Sequence, residues 1–165
     1  MTDFVPINRA LDLTRLDCGS TSLDAWLRNS ALHTEATRTV RTFVWAIDGV
    51  AVAYYAVAAH SVPRDSVPAS LGHGSPSVIP AYLLAKLALA QRLHGRGLGT
   101  AVLGDAVERC LMAGVNAGAR LVVVDAADDA AGRFYESHGF SRTLVPGRLA
   151  MKMSDVAGGY EVASA

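Results

Sequence analysis

Several features are scarce or absent in this chain of 165 residues, and each absence excludes a class of protein. There are two cysteines, Cys18 and Cys110, far apart in the sequence, which excludes a disulfide scaffold and indicates reduced thiols in a cytoplasm. No apolar run approaches the roughly 20 residues of a membrane helix. The first residues lack a basic region followed by an apolar core, so we expect no signal peptide.

Charge is balanced overall but unevenly distributed. The formal net charge is zero, which excludes a global attraction to nucleic acid. Two windows contain no acidic residue, one between Asp65 and Asp105 and one between Glu136 and Asp155. Six basic residues lie in these two windows: Lys86, Arg92, Arg96, Arg142, Arg148 and Lys152. The five histidines and two cysteines have no spacing typical of metal ligands, so we expect no metal site.

The most informative segment is His-Gly-Arg-Gly-Leu-Gly at residues 94–99. It follows an apolar run at 81–90 and opens an apolar-periodic segment at 98–111, so it predicts a strand, a glycine turn and a helix in that order. Glycines let the backbone approach a ligand, and a helix N-terminus attracts phosphate. The spacing differs from the dinucleotide-binding fingerprint, and no Gly-Lys-Ser/Thr follows. A plain glycine turn between strand and helix is the alternative.

The pattern along the chain predicts an alternation of strands and helices. The Asp48-Gly49 pair between two apolar runs predicts a β-hairpin. Residues 60–80 contain four prolines and predict a long loop, in which His60 and His73 are expected to be exposed, as is His138 at a helix end. Helices are predicted from Thr21 or Ser22 through residue 34, at 97–113 and at 128–138. Strands are predicted at 4–8, 41–47, 50–59, 81–90, 121–126, 140–144 and 149–153.

Two motifs resemble those of the GNAT acetyltransferases. His94, Gly97 and Gly99 match the family's Gln/Arg-x-x-Gly-x-Gly/Ala motif, with histidine in place of the usual Gln or Arg. Residues 131–140 match its Ala-x-x-Phe-Tyr followed by Gly-Phe. The resemblance implies an α/β (α+β) GNAT fold, with a central mixed, mostly antiparallel β-sheet flanked by helices on both faces. It also implies one domain over residues 1–153, followed by a disordered tail at 154–165.

The same resemblance implies acetyl-CoA as co-substrate and assigns residues to it. Tyr135 is implied as the general acid that protonates the leaving sulfur, a role that suits a phenol with an ordinary pKa of about 10. The backbone near Leu87 would face the thioester. The implied cofactor-binding residues are Leu87, Ala88, Leu89, His94, Gly95, Arg96, Gly97, Leu98, Gly99, Thr100, Asp128, Ala131 and Phe134.

Other segments resemble one branch, the GNAT toxins of bacterial toxin–antitoxin modules. These segments are Leu-Asp-Cys-Gly at 16–19, Leu-Asp-Ala-Trp-Leu at 23–27 and the strand at 83–90. In that strand Lys86 replaces a usual arginine and Ala90 a frequent aspartate. The branch implies acetylation of the amino group of aminoacyl-tRNA, a block of translation, a small ribbon-helix-helix antitoxin and a homodimer. Candidate contacts to the tRNA backbone are Arg38, Arg41, Lys86, Arg92, Arg142 and Arg148.

Two alternatives stay open at this point. In the first alternative to the tRNA hypothesis, the chain is a GNAT enzyme that acetylates a small-molecule amine or a protein N-terminus. In the second, it is a module that binds acyl-CoA without catalysis. The first alternative predicts an acidic acceptor pocket, and the two windows without acidic residues count against it. The second is disfavoured by Tyr135, which a sensor does not need. No membrane partner is expected.

Overall fold

The structure is a computed structural model, and it describes residues 2–156. Seven strands form one sheet in the order β1-β2-β3-β4-β5-β7-β6. β4 and β5 run parallel, whereas β1 with β2, β2 with β3, β5 with β7 and β6 with β7 are antiparallel. The predicted fold class is thereby confirmed. The strands are β1 (Phe4–Pro6), β2 (Arg41–Ile47), β3 (Val50–Pro63), β4 (Val78–Leu89), β5 (Leu121–Asp125), β6 (Ser141–Arg142) and β7 (Arg148–Lys152).

Helices flank this sheet. They are α1 (Thr21–Asn29), α2 (Ala31–Ala36), α3 (Ala69–Gly72), α4 (Leu98–Ala117) and α5 (Asp129–Ser137). The sequence predicts α1 and α2 as one helix, and the structure divides them at Ser30, where φ is −126° and ψ −28°. Asn29 and Ser30 have low helix propensity, which explains the interruption. A helical turn at residues 153–156 ends the described part of the chain, so most of the predicted tail lies outside it.

The contacts divide the chain into two compact units. Unit 1 comprises Met1–Ala58 and Ala85–Ala106, and unit 2 comprises Ala59–Leu84 and Val107–Ala165. In unit 1 the hairpin predicted at Asp48-Gly49 is confirmed, since both residues have positive φ and Ile47 pairs with Val50. Its core includes Tyr54 and Tyr55, both fully buried.

Both buried tyrosine hydroxyls of unit 1 are satisfied. The hydroxyl of Tyr54 donates to the Leu23 carbonyl oxygen at 2.7 Å, which ties β3 to α1. The hydroxyl of Tyr55 donates to a carboxylate oxygen of Asp105 on α4. Because neighbouring side chains on a strand point to opposite faces, these two tyrosines place α1 and α4 on opposite sides of β3.

In unit 2 the prediction of a long loop at residues 60–80 is wrong. β3 continues to Pro63, a 3₁₀ turn occupies Arg64–Ser66, α3 follows, and β4 begins at Val78. Pro63 ends β3, Pro68 precedes α3 and Pro80 lies within β4, and apolar side chains between these prolines pack into a common core. That core consists of Val62, Val67, Leu71, Ile79, Ala81, Leu121, Val123 and Ala150. Burial of this apolar surface outweighs the breaking tendency of proline.

Candidate active site

The glycine turn of unit 1 has the geometry that an anion site needs. Gly95 and Gly97 have φ of +77° and +74°, a region that L side chains rarely adopt. A Cβ at either position would meet nothing within 4 Å, so the turn faces open space. α4 begins directly after Gly97, spans 20 residues and has no acidic residue in its first turn. Its unpaired N–H groups and positive dipole end therefore suit a phosphate group.

His94 anchors this turn to the end of β4. Its Nε2 lies 2.7 Å from the carbonyl oxygen of Leu89. A carbonyl only accepts, so Nε2 carries the proton and donates. The residues between them form a 3₁₀ turn in which the Leu93 N–H donates to the Ala90 oxygen at 2.9 Å. The histidine that replaces the family's usual Gln or Arg thus has a definite structural role.

Unit 1 brings the larger part of the predicted cofactor set together. Leu87, Ala88 and Leu89 are the last residues of β4, and the Ala90 N–H that follows donates to Val52 at 2.8 Å. The turn and the first turn of α4 then contribute residues 94–100. These residues form one continuous strand–turn–helix segment, as the sequence predicts. A pyrophosphate bound at this segment would contact backbone N–H groups, which are present whatever the side chains are.

Tyr135 belongs to unit 2, where it lies on α5. The residue is 9% exposed, and its ring packs edge-to-face against Phe134 and Phe140, with centroids 5.5 and 5.6 Å away. Burial raises the pKa of the Tyr135 hydroxyl to about 12, because the phenolate is poorly solvated there. The phenol is therefore protonated at neutral pH, as a proton donor must be.

The other predicted cofactor residues of unit 2 begin and line α5. The carboxylate of Asp128 accepts a hydrogen bond from the Ala131 N–H at 2.8 Å and caps the helix. Phe134 is half-buried between Tyr135 and His138, whose ring centroid lies 4.5 Å away. Asp128 and Ala131 thus have a structural function in their own unit. Their role toward a cofactor stays a prediction.

The six candidate RNA-binding residues fall into two groups. Arg41 pairs with Glu35 at 2.8 Å, and Arg142 pairs with Glu136 at 2.9 Å. Lys86 lies 5.6 Å from the ring centroid of Trp26, and Arg148 is also paired, as described below. Within residues 2–156, only Arg38 and Arg92 of this set have neither an ion pair nor a cation–π contact. Their charges are the least compensated of the six.

A cluster that no sequence motif indicated joins three strands of unit 2. Arg148 on β7 forms a two-pronged ion pair with Asp125 on β5, with Nε–Oδ1 at 2.8 Å and Nη2–Oδ2 at 3.0 Å. Its remaining Nη1 lies 3.3 Å from Nε2 of His60 on β3. His60 is half-buried in a strand, so the prediction that it lies exposed in a loop is wrong.

The charges in this cluster shift one another's pKa. Hydrogen bonding to Arg148 lowers the pKa of Asp125 below its ordinary value and raises that of Arg148. Burial, followed by the nearby Arg148 cation, lowers the pKa of His60 below 6.5. At neutral pH the cluster therefore consists of a carboxylate, a guanidinium and a neutral imidazole. The sequence placed Asp125 in a buried strand and named Arg148 as a basic candidate, but it gave no sign that the two meet His60.

Among residues 2–156, no three or more His, Cys, Asp and Glu side chains come together as a group able to hold a metal ion. No helix within the same residues is long and apolar enough to cross a membrane.

Comparison with known proteins shows the family of the chain. A family model described as acetyltransferase (GNAT) domain matches residues 39–142. A tRNA-acetylating toxin of Mycobacterium tuberculosis (strain ATCC 25618 / H37Rv) is 38% identical over 129 residues, which are 78% of this chain and 78% of that protein.

Solved structures agree in fold. AtaT complexed with acetyl-methionyl-tRNAfMet has a TM-score of 0.87 and 21% identity, covering 96% of this chain and 99% of that one. A mutant AtaT toxin bound to the C-terminus of the antitoxin AtaR and acetyl-CoA has a TM-score of 0.82 and 19% identity, covering 96% and 97%. With the family model matching more than half of its length, this chain belongs to the GNAT acetyltransferase family.

Proposed function

We propose that this chain is an acetyl-CoA-dependent N-acetyltransferase that acetylates the amino group of aminoacyl-tRNA, and that it blocks translation as the toxin of a type II toxin–antitoxin module. The observation that carries the proposal is the 38% identity to a tRNA-acetylating toxin over 78% of both chains. Residues 1–153 would act as one catalytic domain. The glycine turn and the buried Tyr135 support an acetyl-transfer enzyme in particular.

The donor would be held mainly by backbone groups of unit 1. The N–H groups from Gly95 to Thr100, which surround the two left-handed glycines, suit the pyrophosphate of acetyl-CoA. The backbone of Leu87–Leu89 would orient the acyl arm, and Asp128, Ala131 and Phe134 would contribute from α5. When bound, acetyl-CoA supplies an acetyl group activated as a thioester.

Tyr135 would move the proton that the leaving sulfur needs. Its buried hydroxyl keeps its proton at neutral pH, because its pKa is raised to about 12. The residue would act as general acid on the thiolate that forms when the carbon–sulfur bond breaks. Phe134 and Phe140 fix the orientation of the ring.

The acceptor amine needs little help to lose its proton. A free α-amine has a pKa of 7.7–8.0 in peptides, and the ester of aminoacyl-tRNA lowers it further by withdrawing electrons. Much of the amine is then neutral at pH 7, so a strong general base is unnecessary. This agrees with the absence of acidic residues from β4.

The tRNA backbone would be bound by the basic residues outside strong ion pairs. Arg38 and Arg92 are the first candidates, because neither has an ion-pair partner within residues 2–156. Arg41, Arg142 and Arg148 share their charge with carboxylates, and Lys86 lies over Trp26. Each of these would contribute less to phosphate binding than a free arginine.

The remaining parts of the proposal concern partners and location. The protein would act in the cytoplasm, where charged tRNA occurs, and would form a homodimer. A small ribbon-helix-helix antitoxin would neutralise it. The structure of an AtaT mutant toxin bound to the C-terminus of the antitoxin AtaR supports an antitoxin partner.

The decisive experiment offers labelled acetyl-CoA to the purified protein with three acceptors. These are a pool of charged tRNA, the same pool after deacylation, and a panel of free amines. We expect label on charged tRNA alone. Label on free amines but not on charged tRNA would replace this proposal with a small-molecule acetyltransferase. Label on deacylated tRNA would mean that the acceptor is the RNA itself.

A further inference from the structure

The arrangement of His60, Arg148 and Asp125 determines which ring nitrogen of His60 carries the proton. Arg148 is always charged and has only N–H groups to offer, so its Nη1 donates to Nε2 of His60. Nε2 must then hold a lone pair. In the neutral ring the proton lies on Nδ1, which is left as a hydrogen-bond donor. The ring cannot act as a base at Nε2 without losing this contact.

Asp125 makes this arrangement rigid. It holds Nε and Nη2 of Arg148 at 2.8 and 3.0 Å, so the guanidinium plane is fixed and Nη1 is directed at His60. The Arg148 side chain is 22% exposed and that of Asp125 56%. The cluster therefore lies at the surface of unit 2 but is internally ordered. Within the described residues, Nδ1 of His60 has no hydrogen-bond partner.

The cluster lies at a break in the sheet. The parallel pairing of β4 with β5 ends at Leu84 and Val124. Asp125 is the next residue, and it pairs with Arg148 on β7. Strand ends at which parallel partners separate are the places where ligands enter α/β sheets.

The cluster and Tyr135 lie on opposite sides of this part of the sheet. Arg142 on β6 pairs with Leu149, and its guanidinium lies against Gly132 of α5, the helix that carries Tyr135. Arg148 precedes Leu149 and therefore points to the other face. A group bound by the cluster would approach the sheet from the side opposite α5.

We propose that His60 is a positioning residue for the acceptor, whose Nδ1–H donates a hydrogen bond to an oxygen of the aminoacyl ester end, with Arg148 and Asp125 holding the ring. The inference rests on the proposed function and names which part of the acceptor this cluster contacts. The amine would then attack from the cluster side, while Tyr135 gives its proton from the α5 side.

The charge state of the cluster suits this role. A neutral imidazole donor does not repel an incoming amine that is partly protonated, as a second cation would. The charged groups that act on His60 are Arg148 of β7, which lowers its pKa, and Asp125 of β5, which raises it. Burial of the ring is the largest cause of the lowered pKa, ahead of Arg148. His60 thus stays neutral across the range in which the acceptor amine loses its proton.

Steady-state kinetics test the contact. His60→Ala removes the donor, and we expect the KM for charged tRNA to rise about fivefold with kcat and the KM for acetyl-CoA unchanged, because the bond forms equally in ground and transition state. His60→Gln should restore most of the loss, since its amide can accept from Arg148 and donate to the ester. His73→Ala, an exposed histidine of the same unit, is the matched control.

The pH profile separates this role from a merely structural one. As pH falls through the pKa of His60, which lies below its ordinary value, the protonated ring can no longer accept from Arg148, so the KM for charged tRNA should rise in the wild type. Protonation of the acceptor amine affects all variants alike. In His60→Gln the additional rise should disappear. A terminal adenosine without its 2′-hydroxyl separates the two possible oxygens, since KM rises if the hydroxyl is the partner and stays constant if the ester carbonyl is.

A spectroscopic measurement tests the same idea without activity. In the intact protein, ¹H–¹⁵N spectra of the imidazoles should show His60 as the Nδ1–H tautomer. Arg148→Met should raise the pKa of His60, and the ring should then no longer be held as the Nδ1–H tautomer. An Nε2–H tautomer in the wild type would overturn the inference. So would an unchanged KM in His60→Ala when the wild type acetylates charged tRNA. If the wild type does not acetylate charged tRNA, the proposed function fails, and this inference with it.

Discussion

The Nε2–H of His94 donates to the carbonyl oxygen of Leu89, 2.7 Å away, and so joins the last residue of β4 to the first residue of the glycine turn. This contact spans the 3₁₀ turn Gln91–Leu93 and fixes the position at which the glycine turn with Gly95 and Gly97 starts. The turn that would receive the pyrophosphate is therefore held in place by the side chain of its own first residue.

Loss of this contact should weaken donor binding. We expect His94→Ala to raise the Kd for acetyl-CoA about threefold to tenfold, the effect of one net hydrogen bond of about 1 kcal/mol. His94→Gln is the control, because glutamine is common here in the family and can donate to the same oxygen. Isothermal titration with acetyl-CoA measures both. Equal affinity in all three proteins would show that the contact does not shape the site.

The left-handed glycine before α4 should not tolerate a side chain. Gly97→Ala places a Cβ at φ +74°, which costs about 1–2 kcal/mol. We expect acetyl-CoA affinity to fall roughly tenfold. Gly104→Ala makes the same chemical change inside α4, where nothing lies within 4 Å, and should add up to about 1 kcal/mol of stability without changing affinity. Equal acetyl-CoA affinity in Gly97→Ala and Gly104→Ala would contradict a role for the left-handed glycine in donor binding.

Removal of the Tyr135 hydroxyl should affect chemistry rather than binding. Tyr135→Phe should lower kcat about 100-fold or more, the usual contribution of a general acid, and leave the Kd for acetyl-CoA unchanged. Tyr82→Phe on β4 is the control for loss of a phenol elsewhere in unit 2. Because the pKa of Tyr135 is raised to about 12, the wild type should show no alkaline loss of this proton below pH 10. Full turnover in Tyr135→Phe would exclude the role.

The salt dependence of tRNA binding should identify the phosphate contacts. Arg92→Gln should reduce the slope of log K against log salt by about 0.7–0.9, the value for one lost contact. Arg9→Gln removes an equal charge from another exposed position and should leave the slope unchanged. Filter binding at several salt concentrations measures both variants. An identical slope in wild type and Arg92→Gln would remove Arg92 from the interface.

The sequence predicts features set by neighbouring residues better than features set by strand pairing. The glycine turn at Gly95 and Gly97 and the hairpin at Asp48-Gly49 depend on local backbone preference, and both are confirmed. The cluster of His60, Arg148 and Asp125 depends on the register of β7 against β5 and on the length of β3. Neither is encoded in a short window, so no motif indicated it.

At residues 60–80 a strong local signal predicts the wrong structure, because packing against a distant strand decides it. Its prolines are strong local signals and predict a loop. Val62, Leu71 and Ile79 nevertheless pack with Leu121 and Val123 of a strand about 50 residues away in sequence, and this packing imposes strand and helix. A short window of sequence contains the prolines but not the strand against which the segment packs.

The central claim is that the acetyl group goes to the amine of an aminoacyl ester. The most direct measurement is mass spectrometry of the terminal nucleoside released by ribonuclease from charged tRNA after reaction with the protein and acetyl-CoA. The account predicts an N-acetyl-aminoacyl adenosine with the protein and none with Tyr135→Phe. Charged tRNA that returns only unmodified aminoacyl adenosine, while acetyl-CoA is consumed on a free amine, would contradict it.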